Sequence, residues 1–293
     1  MSRAALPFTP MAVVFDMDGL MLDSERAIIA CLAEAARERG HDLPEMLWLS
    51  MVGHSEAVCR HLLDEAVGEL ERAQVLQRSH ALYDAVVAAG VPHRPGIIEM
   101  LDFLQARGIP RAVATSTRRP LALKKLEAAG LLPRFDAICT SSDVEHPKPA
   151  PDIYLLAAAS LGVDPAQCLV LEDSPTGVRA ALAAGMHPIQ IPDLLEPDDA
   201  VRALGHTILP SLDDARRLLE RRLDARPSTR CGSDVSRDRT AKSDPFSRHL
   251  PMSLRRWRKA CSQAWINPHT IVLRRVMPVS VLGAGRLPGT STW

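Results

Sequence analysis

The chain of 293 residues lacks several features that would settle its class at once. Its six cysteines, Cys31, Cys59, Cys139, Cys168, Cys231 and Cys261, are dispersed and never form a CxxC pair. That spacing argues against a structural zinc site and a dense disulfide framework, so reduced thiols in a cytoplasm are expected. It also lacks net charge, with 35 Lys and Arg against 35 Asp and Glu. No global field therefore draws it to nucleic acid or to an anionic membrane. No apolar run is long enough to span a bilayer. The first residues, MSRAALPFTP, have no signal-peptide stretch. No membrane partner is expected, and a monomer or weak dimer is.

What remains is ordinary for a soluble globular protein: 46% hydrophobic and 24% charged residues. The length fits one large domain or two modest ones. The neutral average hides one asymmetry. Residues 226–293 carry 13 Lys and Arg against 3 Asp and Glu, and hold three of the four Trp. Its first part, to residue 251, is rich in Ser, Arg, Asp and Pro and lacks periodicity, which reads as disorder or linker, while MSLRRWRKACSQAWI could form a basic helix and TIVLRRVMPVSVL a strand. Contact between this irregular basic extension and a polyanion is one open function.

Before that extension, two textures alternate along the chain. MAVVF at 11–15 reads as a short buried strand. Residues 24–92 then give only helical patterns, with Ser24 as the expected cap of the first helix and Gly40 as its stop. From residue 93 onward, strands and helices alternate: IPRAVAT, FDAICT, QCLVLE, HPIQI and HTILP are the strands. Such alternation means βαβ units and a mostly parallel, Rossmann-like sheet. The expected organisation is an α/β core of residues 1–23 and 93–225, interrupted by a helical insertion at 24–92.

In an open parallel sheet, ligands bind beyond the carboxyl ends of the strands. The first strand ends at Asp16 and Asp18, and the second at Thr115, followed by Ser116 and Thr117. The third leads to Lys148, and the fourth ends at Glu172 and Asp173. Singly, each has a plain structural reading as a helix cap, a turn or a solvated charge. Together they gather carboxylates, a hydroxyl and one lysine on one rim. Clustered acids repel and raise one another's pKa. A divalent cation relieves that, and Mg²⁺ takes few carboxylates plus phosphate and water. Asp16 and Asp173 could hold it, while Lys148 and Thr115 bind phosphoryl oxygens.

Four stretches in order, DMDGLMLDSE, ATS, HPKPAPDIY and LEDSPTGVRAALAAGM, carry a resemblance. The chain resembles the haloacid dehalogenase (HAD) superfamily, in the group near β-phosphoglucomutase and its sugar-phosphate phosphatase relatives, over about residues 11–222. The resemblance implies Asp16 as the nucleophile that forms an aspartyl phosphate. It implies Asp18 as general acid and then base, with its backbone carbonyl on Mg²⁺ and Asp173 as the distal metal ligand. Glu172 would support the metal shell or Lys148, and the helical insertion would be a cap that selects the leaving group. His54, after Gly53 in the cap loop, is a possible substrate contact.

Two positions depart from the mutases of that group. Ile28 replaces the histidine that assists a sugar hydroxyl there, and Glu56 replaces an arginine that grips a second phosphate. The leading expectation is therefore Mg²⁺-dependent hydrolysis of a small phosphorylated metabolite, with a phosphosugar mutase as the alternative. A binding or regulatory protein that uses the basic extension is a third reading.

Overall fold

The computed structural model describes residue 6 and residues 8–51 and 56–224. His54, the side chain of Glu56 and the basic stretch from 226 on lie outside the described residues. Six strands form one sheet: β1 (Ala12–Phe15), β2 (Arg111–Thr115), β3 (Ala137–Thr140), β4 (Cys168–Glu172), β5 (His187–Gln190) and β6 (Thr207–Ile208). Their order is β3-β2-β1-β4-β5-β6, and every pairing is parallel.

Strand periodicity decides the two faces. Val13, Phe15, Val113, Leu169 and Leu171 point into one apolar cluster. Ala12, Val14, Ala112, Ala114, Cys168 and Val170 point into the other. The first face is covered by α5 (Ile97–Ala106), α6 (Arg119–Ala128) and α10 (Leu212–Asp224), through Leu101, Leu104, Leu126 and Leu218. The second is covered by α7 (Asp152–Leu161) and α8 (Pro175–Ala183), through Ala157, Ala158, Ala180 and Ala181. Small residues on this second face let the helix backbones approach the sheet closely. A short helix, α9 (Asp199–Arg202), follows β5. The result is a three-layer α/β/α core, as alternating strands and helices require.

Between β1 and α5 the chain forms α1 (Ser24–Glu38), α2 (Glu45–Leu49), α3 (Glu56–Val67) and α4 (Glu69–Ala89). These helices have their own apolar cluster around Ala35, Trp48, Leu63 and Val75. Ser24 departs from expectation. It is the first helical residue, and Asp23 precedes it without a side-chain cap bond. The Ser24 hydroxyl donates to the Leu22 carbonyl instead, which satisfies it within the tight loop leaving β1. Among the described residues, no helix is long and apolar enough to cross a membrane.

One carboxylate ties both ends of this insertion to the core. Asp193, after β5, accepts from Arg26 on α1 and from Arg94, 2.6 Å away, where the chain returns from α4. The Asp193 side chain is only 2% exposed, so its charge depends on those two partners. Asp193→Ala is expected to lower the unfolding free energy by ~1–3 kcal/mol. Urea titration checks this, and an unchanged midpoint would mean the tether contributes nothing.

Candidate active site

The short strand β1 is buried between β2 and β4, so its end opens at the centre of the sheet rim. Asp16 follows it directly, and its backbone N–H continues the ladder by donating to the Leu171 carbonyl at 3.0 Å. That bond fixes where the side chain leaves the sheet. Lys148 reaches it from the loop before α7. The Lys148 ammonium donates to Asp16 Oδ1 at 2.6 Å and to Glu172 Oε1 at 2.7 Å. Carboxylates from the ends of two different strands thereby meet within one hydrogen-bond length of a single cation.

Glu172, at the end of β4, is fully buried. Besides Lys148 it accepts from Tyr154 Oη at 2.8 Å, the Ser174 N–H at 2.9 Å and Ser174 Oγ at 3.0 Å. Ser174 in turn caps α8 by accepting from the Gly177 N–H at 3.1 Å, with Pro175 at the first helical position. Burial opposes ionisation of Glu172, but the Lys148 charge and these donors outweigh it and hold its pKa below the usual value. Asp16 shares the same lysine with fewer donors. Burial pushes its pKa up to about 7 against the pull of Lys148, with Glu172 adding to the rise. Burial would lower the Lys148 pKa, yet Asp16 and Glu172 carry it well above the ordinary lysine value.

Asp173 has no compensating donor for its carboxylate among the described residues. Burial, followed by the charges of Glu172, Asp16 and Glu25, pushes its pKa well above the usual carboxylate range. Its position is set by Gly19. A Cβ on Gly19 would lie 2.2 Å from Asp173 Oδ2, and the Gly19 φ of +83° excludes most side chains as well. The Asp173 carboxylate thus rests on the backbone of the loop that contains Asp18.

That arrangement meets the needs of a hard cation. Among the described residues, no three His, Cys, Asp or Glu side chains are grouped to enclose a metal. Two carboxylates of like charge, one of them without a donor among the described residues, make a sparser set. It suits an ion that keeps water and takes few protein oxygens.

Asp18 is bound differently from Asp16. Lys125 on α6 donates to its Oδ1 at 2.8 Å, and Thr117 Oγ1 donates to its Oδ2 at 2.6 Å. Burial raises its pKa, but Lys125 and then Thr117 bring the net value below normal. The two aspartates of the DMD stretch therefore have opposite protonation tendencies. Thr115 is buried at the end of β2, and its hydroxyl oxygen accepts from the Thr117 N–H at 3.1 Å. Its hydroxyl proton remains available to an anion. Ser116 is exposed beside it.

Asp16, Lys148, Glu172 and Asp173 thus gather around one point of the rim, with Asp18 and Thr115 on the adjoining loops. The strand ends alone do not reveal Lys125, Tyr154 or Tyr83. For Lys125 the sequence does hold a signal. Ala122, Lys125, Leu126 and Ala129 recur at helix spacing, which puts this lysine on the buried face of α6. Lys125 is in fact 3% exposed.

A family model for haloacid dehalogenase-like hydrolases matches residues 10–185, which include every one of these side chains. The chain belongs to the haloacid dehalogenase-like hydrolase family. Within the family it is 31% identical over 210 residues to the phosphorylated carbohydrates phosphatase of Thermotoga maritima, covering 71% of this chain and 90% of that protein. It is 35% identical over 178 residues to hexitol phosphatase A of Escherichia coli, covering 61% of this chain and 81% of the relative. Among solved structures, a HAD family hydrolase from Deinococcus radiodurans with bound phosphate and sodium superposes with a TM-score of 0.64. That match has 30% identity and covers 73% of this chain and 96% of the other.

Within this HAD hydrolase, Gly177 is the residue that most directly shapes the Glu172 environment. A Cβ there would lie 1.5 Å from Glu172 Oε1. That carboxylate cannot swing aside without releasing Lys148 and Tyr154. Gly177→Ala is expected to cost ~1–3 kcal/mol of stability by overpacking. Thermal or urea unfolding checks it. A variant as stable as the parent would contradict the tight hold on Glu172.

Proposed function

We propose that this HAD hydrolase is a Mg²⁺-dependent phosphomonoesterase that hydrolyses a small sugar phosphate through an aspartyl phosphate on Asp16. The observation that carries the reading is the Lys148 ammonium held between Asp16 and Glu172. It orients one oxygen of Asp16 and places a fixed positive charge where a phosphoryl group would meet that residue. The relatives named as carbohydrate and hexitol phosphatases, and the phosphate bound in the Deinococcus protein, favour the same substrate class.

In this mechanism Asp16 Oδ2, the oxygen not held by Lys148, attacks phosphorus as the bond to the ester oxygen breaks. Asp18, a carboxylate in the free site, takes up a proton when the phosphate dianion lies against it and gives that proton to the departing oxygen, so the sugar leaves as an alcohol. Asp18, now a carboxylate, takes a proton from a water that attacks the same phosphorus. The bond to Asp16 breaks, and inorganic phosphate departs with both aspartates restored. Lys148 and the Thr115 hydroxyl balance charge on the phosphoryl oxygens. Asp16, Asp173 and the Asp18 carbonyl would hold Mg²⁺, which supplies the charge neutralisation that lets a dianion approach these carboxylates.

The α1–α4 insertion would act as a cap that limits bulk water and selects the leaving group. Ile28 on α1 offers no acid or base to a second sugar hydroxyl, which favours hydrolysis over a mutase reaction. The cytoplasm, where sugar phosphates and reduced thiols coexist, is the compartment this reading assigns.

Phosphate release from a panel of sugar phosphates tests the reading. Release is expected with Mg²⁺, is lost in EDTA, and drops at least about a thousandfold in Asp16→Asn. Turnover that survives either change would sink it.

A further inference from the structure

We propose that Lys125 is a positioning residue for Asp18, and that Tyr83 carries the helical insertion into the same contact. The inference rests on the acid-base reading of Asp18. A lysine at 3% exposure in the middle of a core helix is costly unless its charge is answered. Its neighbours on that face, Ala122 and Leu126, belong to the apolar core. A leucine would pack there without desolvating a cation. The lysine instead makes one ion pair, to Asp18 Oδ1 at 2.8 Å. Its Nζ also lies 5.2 Å from the centre of the Tyr83 ring, within cation–π range.

Donor chemistry gives this contact a consequence. An ammonium can only donate, so Asp18 Oδ1 is confined to accepting. The Thr117 hydroxyl on Oδ2 can donate or accept as it rotates. Any proton on Asp18 is therefore carried by Oδ2. Lys125 thus selects the oxygen that exchanges protons with leaving group and water, and it fixes the rotamer that aims it. Tyr83 belongs to α4, which packs against both α1 and α6. The ring of an insertion helix thereby bears on the cation that orients Asp18. The seating of the insertion and the aim of the acid-base group are joined through one side chain.

The test uses the full chain with Mg²⁺. It compares kcat/KM for an alkyl phosphate, glycerol phosphate, with that for p-nitrophenyl phosphate, whose leaving group needs no proton. Lys125→Met is expected to lower the alkyl value about 10- to 100-fold and the aryl value under about threefold. In the Lys125→Met/Asp18→Asn double variant the loss should equal that of Asp18→Asn alone, because Lys125 acts through that carboxylate. Equal losses on both substrates, or losses that multiply in the double variant, would assign Lys125 a purely structural role and overturn the proposal. Should Lys125→Met not fold, Tyr83→Leu carries the same test, with an expected alkyl-selective loss of about 3- to 10-fold. An unselective effect there overturns the proposal too. Asp18→Asn that keeps full alkyl turnover would overturn the acid-base reading itself, a different outcome from selective failure of Lys125→Met.

Discussion

The Lys148 ammonium lies 2.6 Å from Asp16 and 2.7 Å from Glu172, with all three side chains nearly or wholly removed from solvent. Each of those charges alone would lose several kcal/mol of hydration on burial. Held together, the excess negative charge of the pair still remains. The arrangement is completed by donors on one side only. Tyr154 and Ser174 satisfy Glu172, whereas Asp16 Oδ2 has no side-chain donor among the described residues. The difference leaves Glu172 fully satisfied and Asp16 with an open oxygen. Asp173, with no donor of its own among the described residues, adds the demand for a further positive charge at the same rim.

The scaffold serves that constraint. Parallel pairing aligns the ends of β1, β2 and β4 at one edge. Alanines on one face let α7 approach closely enough for Tyr154 to reach Glu172. Gly19 and Gly177 leave out the Cβ atoms that would strike Asp173 and Glu172. These small residues lie where the backbone must come close to a carboxylate. The insertion meets the core through the Asp193 tether and through Tyr83 beside Lys125.

Much of this is legible in the sequence. The strands β1 to β4 can be read within a few residues as apolar runs bounded by turn signals, and the short β5 and β6 follow from their place in the alternation. Asp16, Asp18, Thr115, Lys148, Glu172 and Asp173 stand out because strand ends in a parallel sheet converge, whatever their separation along the chain. Side chains that act from helix faces are less visible. Lys125 sits next to Lys124 in LKKLE, and charge alone does not distinguish a solvated lysine from a buried one. Only the helix period does. Tyr83 and Tyr154 depend on which helix packs against which, and periodicity is silent about that. Ser24 falls one position from its expected place as a cap because the loop from β1 bonds its hydroxyl backward to Leu22.

In the proposed reaction Asp16 takes up the phosphoryl, and chemical trapping addresses this proposal most directly. The protein, turning over a sugar phosphate, is quenched and reduced with borohydride, which converts an aspartyl phosphate to homoserine. Peptide mass spectrometry then locates the product. Homoserine at position 16, with Asp18 and Asp173 unmodified, is the predicted result. Modification at another carboxylate, or an unmodified Asp16 together with inversion at a chiral phosphorus, would contradict it.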